Sequence, residues 1–207
     1  MKTFLGLALA TTLAFTNVPQ TMARDVEHNY TLSGTSVKIS ADENVKAVTI
    51  ILNNIQNDVV KVTLENNDGT ILFDESVSKT AYYSKKLNLS QLETGSYRII
   101  VRKKLDKTIQ PFELTSEGVQ LNESERKVKF LPFVSQKGYT VNVNCLTSNY
   151  TNIFVKIYDN TGKLVFEDAN YMVFQLHKTF NLSQLAEGTY IMEVVAGDES
   201  EYTTVKL

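Results

Sequence analysis

The sequence predicts an all-β chain of two tandem antiparallel β-sandwich domains after a signal peptide, and three observations carry that reading. Segments of four to eight residues, rich in Val, Ile, Thr, Tyr and Phe, alternate apolar and polar between turn signals. Helical periodicity is nearly absent. The chain also repeats itself: an offset of 93 lays Asp58 to Leu114 on Thr151 to Leu207 without a gap, and 14 of those 57 positions are identical.

Taken in order, residues 1–23 read as a secretory signal, with Lys2, an apolar run from Phe4 to Phe15, Pro19 and a small-residue site at Thr21-Met22-Ala23. The run is too short to span a bilayer, and no later stretch approaches that length, so the mature chain is expected to lack a transmembrane segment. Residues 30–114 form the first expected domain, with seven strands near Ser36–Ile39, Ala47–Leu52, Val59–Glu65, Thr70–Ser76, Tyr82–Asn88, Ser96–Arg102 and Thr108–Leu114. Val60, Val62 and Leu64 alternate with Lys61 and Thr63, and Ile153, Val155 and Ile157 answer them one repeat later, so both triplets should face a core. Residues 115–126, polar and without an apolar cluster, read as a linker, and residues 127–207 as the second domain. Upstream of the gapless region, the repeat is read with a two-residue shift that sets Lys46-Ala47-Val48 against Lys137-Gly138-Tyr139.

The identities cluster in Asn88-Leu89-Ser90-Gln91-Leu92 and Asn181-Leu182-Ser183-Gln184-Leu185, followed by Gly95-x-Tyr97 and Gly188-x-Tyr190. A tyrosine so placed, two residues before a core position, fits an immunoglobulin-like sandwich in which its hydroxyl returns to backbone at the preceding corner. The core position holds Ile99 or Met192, the chain has no tryptophan, and the single cysteine, Cys145, reads as a buried small hydrophobe. Stability must come from apolar cores alone, because one thiol cannot close an internal disulfide.

Composition excludes several function classes. The formal net charge is −2, and residues 30–116 carry 11 basic and 10 acidic side chains against 8 and 9 in residues 125–207, so nucleic acid is not an expected partner. No spacing of His, Cys or carboxylates fits a metal or nucleophile motif, His28 and His177 stand apart, and no phosphate-binding glycine loop occurs. The expectation is a non-enzymatic protein with no catalytic, cofactor or metal site. Asn66-Asn67-Asp68-Gly69 and Asp159-Asn160-Thr161-Gly162 read as hairpin turns, the rival reading being calcium loops that lack a full ligand set. Arg98, Arg102, Lys103, Lys104 and Lys107 form one basic cluster, and Glu193, Asp198, Glu199 and Glu201 occupy its counterpart, so one domain or molecule could dock on another by charge.

From Ile153 onward the chain resembles the C-terminal sorting domain of the type IX secretion system of Bacteroidota. The resemblance rests on Val155-Lys156-Ile157-Tyr158-Asp159-Asn160-Thr161-Gly162-Lys163, on Asn181 through Tyr190, and on Lys206. The Pro-Asn-Pro opening usual in that family is replaced by Lys129-Phe130-Leu131-Pro132. Both domains also resemble small exported Bacteroidota immunoglobulin-like sandwiches of unknown function. The resemblance implies export to the periplasm, cell surface or medium, with secretion machinery as the partner of the second domain. The alternative is a binding or structural module for a protein or glycan, acting through sheet faces, loops or edge strands.

Overall fold

Alternation in the first copy resolves into two sheets that share one core. The computed structural model describes residues 34–207 other than Glu43 and Asn57; the expected signal peptide and His28 lie outside the described residues. Strands β1 (Ser36–Ala41), β2 (Ala47–Asn53) and β5 (Tyr82–Asn88) form one sheet in the order β1-β2-β5. Strands β3 (Val59–Asn66), β4 (Ile71–Ser78), β6 (Gly95–Arg102) and β7 (Asp106–Leu114) form the other in the order β4-β3-β6-β7. Every pairing is antiparallel. All seven expected strands are present, and Val60, Val62 and Leu64 point into a core with Ile50, Leu52, Ile99 and Phe112. Each such side chain, fully buried, contributes roughly 1.5–3 kcal/mol of transfer free energy.

The stretch read as a linker is not a free tether. Val119–Leu121 (β8) pairs with Phe112–Leu114, and Lys127–Phe130 (β9), assigned from sequence to the second domain, pairs with Asp106–Ile109. Both extend the β4-β3-β6-β7 sheet along the outer edge of β7. The polar composition of 115–126 hid this, because an edge strand of three or four residues needs little apolar content.

The second copy repeats the plan with fewer, longer strands. Strands β10 (Phe133–Lys137), β11 (Thr140–Tyr158), β12 (Leu164–Asn181), β13 (Thr189–Ala196) and β14 (Glu199–Lys206) surround a separate core of Val141, Val143, Cys145, Ile153, Val155, Ile157, Met192 and Val194. The first half of β11 lies between β10 and the end of β12, and its second half lies between β13 and the start of β12. Thus β11 does the work of β2 and β3, and β12 that of β4 and β5. The pairing shifts register between Leu146 and Thr151, and Met172 takes a positive φ of 53°. Lys79, one repeat earlier, has φ 57°, but there the chain breaks into two strands.

Pairing also corrects the repeat alignment. Ala47 faces Asn88 and Thr140 faces Asn181, so the 93-residue offset continues through β2 without the two-residue shift inferred from sequence. A shift of two preserves the inward and outward faces of a strand, so alternation cannot detect the error. Cross-strand partners can.

The shared motif is a corner. Asn88 Oδ1 accepts from the Ser90 N–H at 3.0 Å, and Asn181 Oδ1 from the Ser183 N–H at 3.0 Å. The Leu89 and Leu182 N–H groups donate to the carbonyls of Lys46 and Tyr139, each at 2.8 Å, while both leucine side chains enter their cores. Tyr97 donates its hydroxyl to the Glu93 carbonyl at 2.8 Å and Tyr190 to the Ala186 carbonyl at 2.9 Å, the tie expected of an immunoglobulin-like sandwich.

Candidate functional site

What is common to the copies maintains the fold, so a site must be sought where they differ. The β6–β7 hairpin of the first copy and the equivalent β13–β14 hairpin of the second meet with opposite charge. Lys107 lies 2.6 Å from Glu199, Lys129 bridges Asp198 and Glu199 at 2.8 Å each, and Arg102 pairs with Glu201. The docking considered from sequence therefore occurs within the chain. Arg98 instead pairs with Glu65 at 2.7 Å, Lys103 lies 2.9 Å from the buried Asp106, and Lys104 sits over the Phe133 ring at 4.6 Å.

These contacts move the titrations in consistent directions. Burial disfavours the Lys129 ammonium, but hydrogen bonds to Asp198 and Glu199 outweigh it and raise the group above its ordinary value. The Lys129 hydrogen bond holds Asp198 below the usual carboxylate range. Burial opposes the same change at Glu199, where Lys107 and Lys129 prevail.

The solvent face of the second copy's larger sheet carries a constellation absent from the first. Glu193 on β13 accepts the hydroxyls of Tyr158 and Tyr202, each at 2.8 Å. The equivalent first-copy residues are Ile100, Glu65 and Ile109. Partial burial works against the Glu193 carboxylate, but the two hydroxyls and Lys156 lower it, and the same hydrogen bonds raise both tyrosines. Beside the triad lies a shallow depression of about 480 Å³ lined by Tyr158, Asp159, Asn160, Gly162, Thr189 and Ile191. Its lining mixes hydrogen-bonding groups, the Asp159 carboxylate among them, with the apolar Ile191.

The C-terminal strand β14 borders this face. It pairs with β13 from Thr189↔Lys206 to Ala196↔Glu199. Gln136 from β10 holds its end: the side-chain amide donates to the Lys206 carbonyl and accepts the Lys206 N–H at 3.2 Å. Leu207 exchanges both backbone hydrogen bonds with Gly188.

The remaining residues singled out from sequence occupy two turns, a core position and an outward strand face. In the turns, Asn66 Oδ1 accepts the N–H groups of Asp68 and Thr70, and Asp159 Oδ1 those of Thr161 and Lys163, with Gly69 and Gly162 at φ 82° and 81°. Those oxygens are taken up by backbone N–H groups and, at Asp159, also by the Thr161 hydroxyl at 2.6 Å. Cys145 is buried, and burial pushes its thiol up to about 11. His177 contacts Asn144 on the exposed side of β12. Among the described residues no group of three or more His, Cys, Asp or Glu converges, and no helix is long and apolar enough to cross a membrane. The Tyr158, Glu193 and Tyr202 triad was missed because period-two reading marks all three only as an outward face; their opposition across three strands depends on register.

Comparison with known proteins adds one family. Residues 136–207 match the model of the secretion system C-terminal sorting domain. No curated protein matches the chain. Among solved structures, a biofilm-associated protein BSP domain is 12% identical over 83% of this chain and 29% of its own, with a TM-score of 0.25. The alpha-2-macroglobulin of Escherichia coli is 14% identical over 83% and 12%, at 0.26, and the FN1-FN3 domains of chicken CNTN1 are 13% identical over 82% and 62%, at 0.24. The chain thus spans about 29% and 12% of the first two structures' lengths. The C-terminal copy of this immunoglobulin-like tandem resembles the C-terminal sorting domain of the type IX secretion system.

Proposed function

We propose that the second copy, residues 131–207, is the export address of this protein and that the first copy, extended by β8 and β9, is the cargo it delivers to the cell surface or the medium. The observation that carries this reading is the family match over residues 136–207, which begins inside β10 and runs to the final residue. Two features support it. The groups that differ from the first copy, the Tyr158, Glu193 and Tyr202 face and the open β14 edge, lie on the second copy's outer surface. The charged hairpins hold cargo and address together, and Tyr202 on that face is exposed. The match to a sorting-domain family supports recognition by secretion machinery as the task of the second copy. Fusing residues 131–207 to a periplasmic reporter in a type IX-competent host should carry the reporter outside the cell. A reporter retained in the periplasm, with the fused segment folded and protease-resistant, would count against the reading.

A further inference from the structure

We propose that the outer edge of β14 binds an extended segment of a partner protein, which adds as an antiparallel strand beside Tyr202 and Thr204 and alternates cationic with apolar side chains. Hydrogen-bond parity sets which groups are free to do this. Leu207 and Gly188 exchange both backbone hydrogen bonds, so in an antiparallel ladder Val205, Thr203 and Glu201 also bond inward to β13. Ser200, Tyr202, Thr204 and Lys206 therefore turn their N–H and C=O groups outward. Lys206 is met by the Gln136 amide. Beside Tyr202 and Thr204 no strand lies among the described residues.

The first copy shows what such an edge receives. Its equivalent strand, β7, is covered along the same side: Lys127–Phe130 pairs with Asp106–Ile109, the Asn122 N–H donates to the Pro111 carbonyl at 3.1 Å, and Val119–Leu121 pairs with Phe112–Leu114. Glu113 faces Gln120 there, and among the described residues its repeat equivalent Lys206 is met on that side by the Gln136 side chain. The most telling pair is Pro111 and Thr204, which are equivalent. Proline is a common guard of exposed edges because it removes the outward donor. Here it stands on the covered edge, while the uncovered edge keeps a threonine with its donor.

Charge and continuity identify the occupant. The β13–β14 hairpin presents Glu193, Asp198, Glu199 and Glu201, and the strand that covers the equivalent edge reads Lys127-Val128-Lys129-Phe130. Lys129 of that strand already reaches Asp198 and Glu199 at the start of β14, so the vacant edge continues an interface the chain has formed. A strand of this pattern adds backbone hydrogen bonds for affinity and alternate side chains for specificity.

The test is backbone amide exchange on the full chain titrated with a synthetic peptide spanning residues 126–131. Exchange at Tyr202 and Thr204 should slow about tenfold near saturation, since addition of a strand converts open amides into ladder donors. The peptide with Lys129→Pro should lose the effect, as should the chain with Thr204→Pro, a substitution the equivalent Pro111 shows the strand position accommodates. Unchanged exchange at both amides, or equal slowing with the proline peptide, overturns the proposal. Slowing that grows with protein concentration and needs no peptide also overturns it, because the occupant is then a second copy of this chain.

Discussion

Lys178 lies 2.8 Å from Asp168 across the open side of the second sandwich, and Lys85 lies 3.0 Å from Glu75 at the equivalent place in the first. In the first copy the acid sits on β4 and the lysine on β5, the edge strands of the two sheets; in the second copy both lie on the long strand β12, one in each half. The flanking pair Phe166 and Phe180, 5.6 Å apart, closes the same seam in the second copy. Charges turned inward at an edge make it costly for another strand to dock there, which is one way natural sandwiches avoid aggregation. The guarded β12 edge and the unguarded β14 edge are thus opposite solutions within one domain.

Replacing Asp168 and Lys178 singly and together should give a coupling of about 0.5–1 kcal/mol in urea denaturation, since both groups are partly exposed. The double replacement by valine should also raise concentration-dependent light scattering. Additive single effects with unchanged scattering would remove both roles.

Tyr190→Phe should destabilise the chain by about 1–1.5 kcal/mol, because the hydroxyl bonds a carbonyl at a buried corner. Tyr97→Phe should cost about 1 kcal/mol or less, its corner being more exposed. Denaturation midpoints unmoved by either variant would show that the turn, not the hydroxyl, fixes the corner.

Docking of the two copies should weaken in acid. Asp198 and Glu199 are lowered from ordinary values of 3.8 and 4.5, so their contribution is complete above about pH 4.5 and is lost as pH falls through the lowered values. Lys129, raised from 10.5, contributes fully below that pH and loses its share as pH climbs beyond it. Small-angle scattering should therefore show the chain lengthening as pH falls below the ordinary Asp198 value of 3.8, and Lys129→Glu should shift the onset toward neutral pH. A scattering curve constant from neutral pH to that range would contradict the charge contacts.

The strands of the first copy and the tyrosine corners were legible in the sequence because both depend on local signals, alternation and a Gly-x-Tyr spacing. The seam was half-legible: Phe73, Lys85, Phe166 and Lys178 recur at the repeat offset, with Glu75 and Asp168 each ten residues before a lysine. Nothing local says that those residues meet, since ten extended residues would lie far apart unless the chain crosses between sheets at Lys79 or Met172. The fused strands β11 and β12 were illegible for the same reason. The edge strands β8 and β9 escaped because their partner, β7, supplies the apolar surface.

That last point decides where to cut the chain. A truncation beginning at Lys127, the domain boundary read from the sequence, would strip β9 from β7 and confound export with stability. Deleting residues 131–207 leaves β9 in place. In a type IX-competent host the truncated chain should accumulate in the periplasm, folded and resistant to protease, while the full chain reaches the surface or the medium. Delivery of the truncated chain outside the cell at the level of the full one would contradict the assignment of the second copy as the export address.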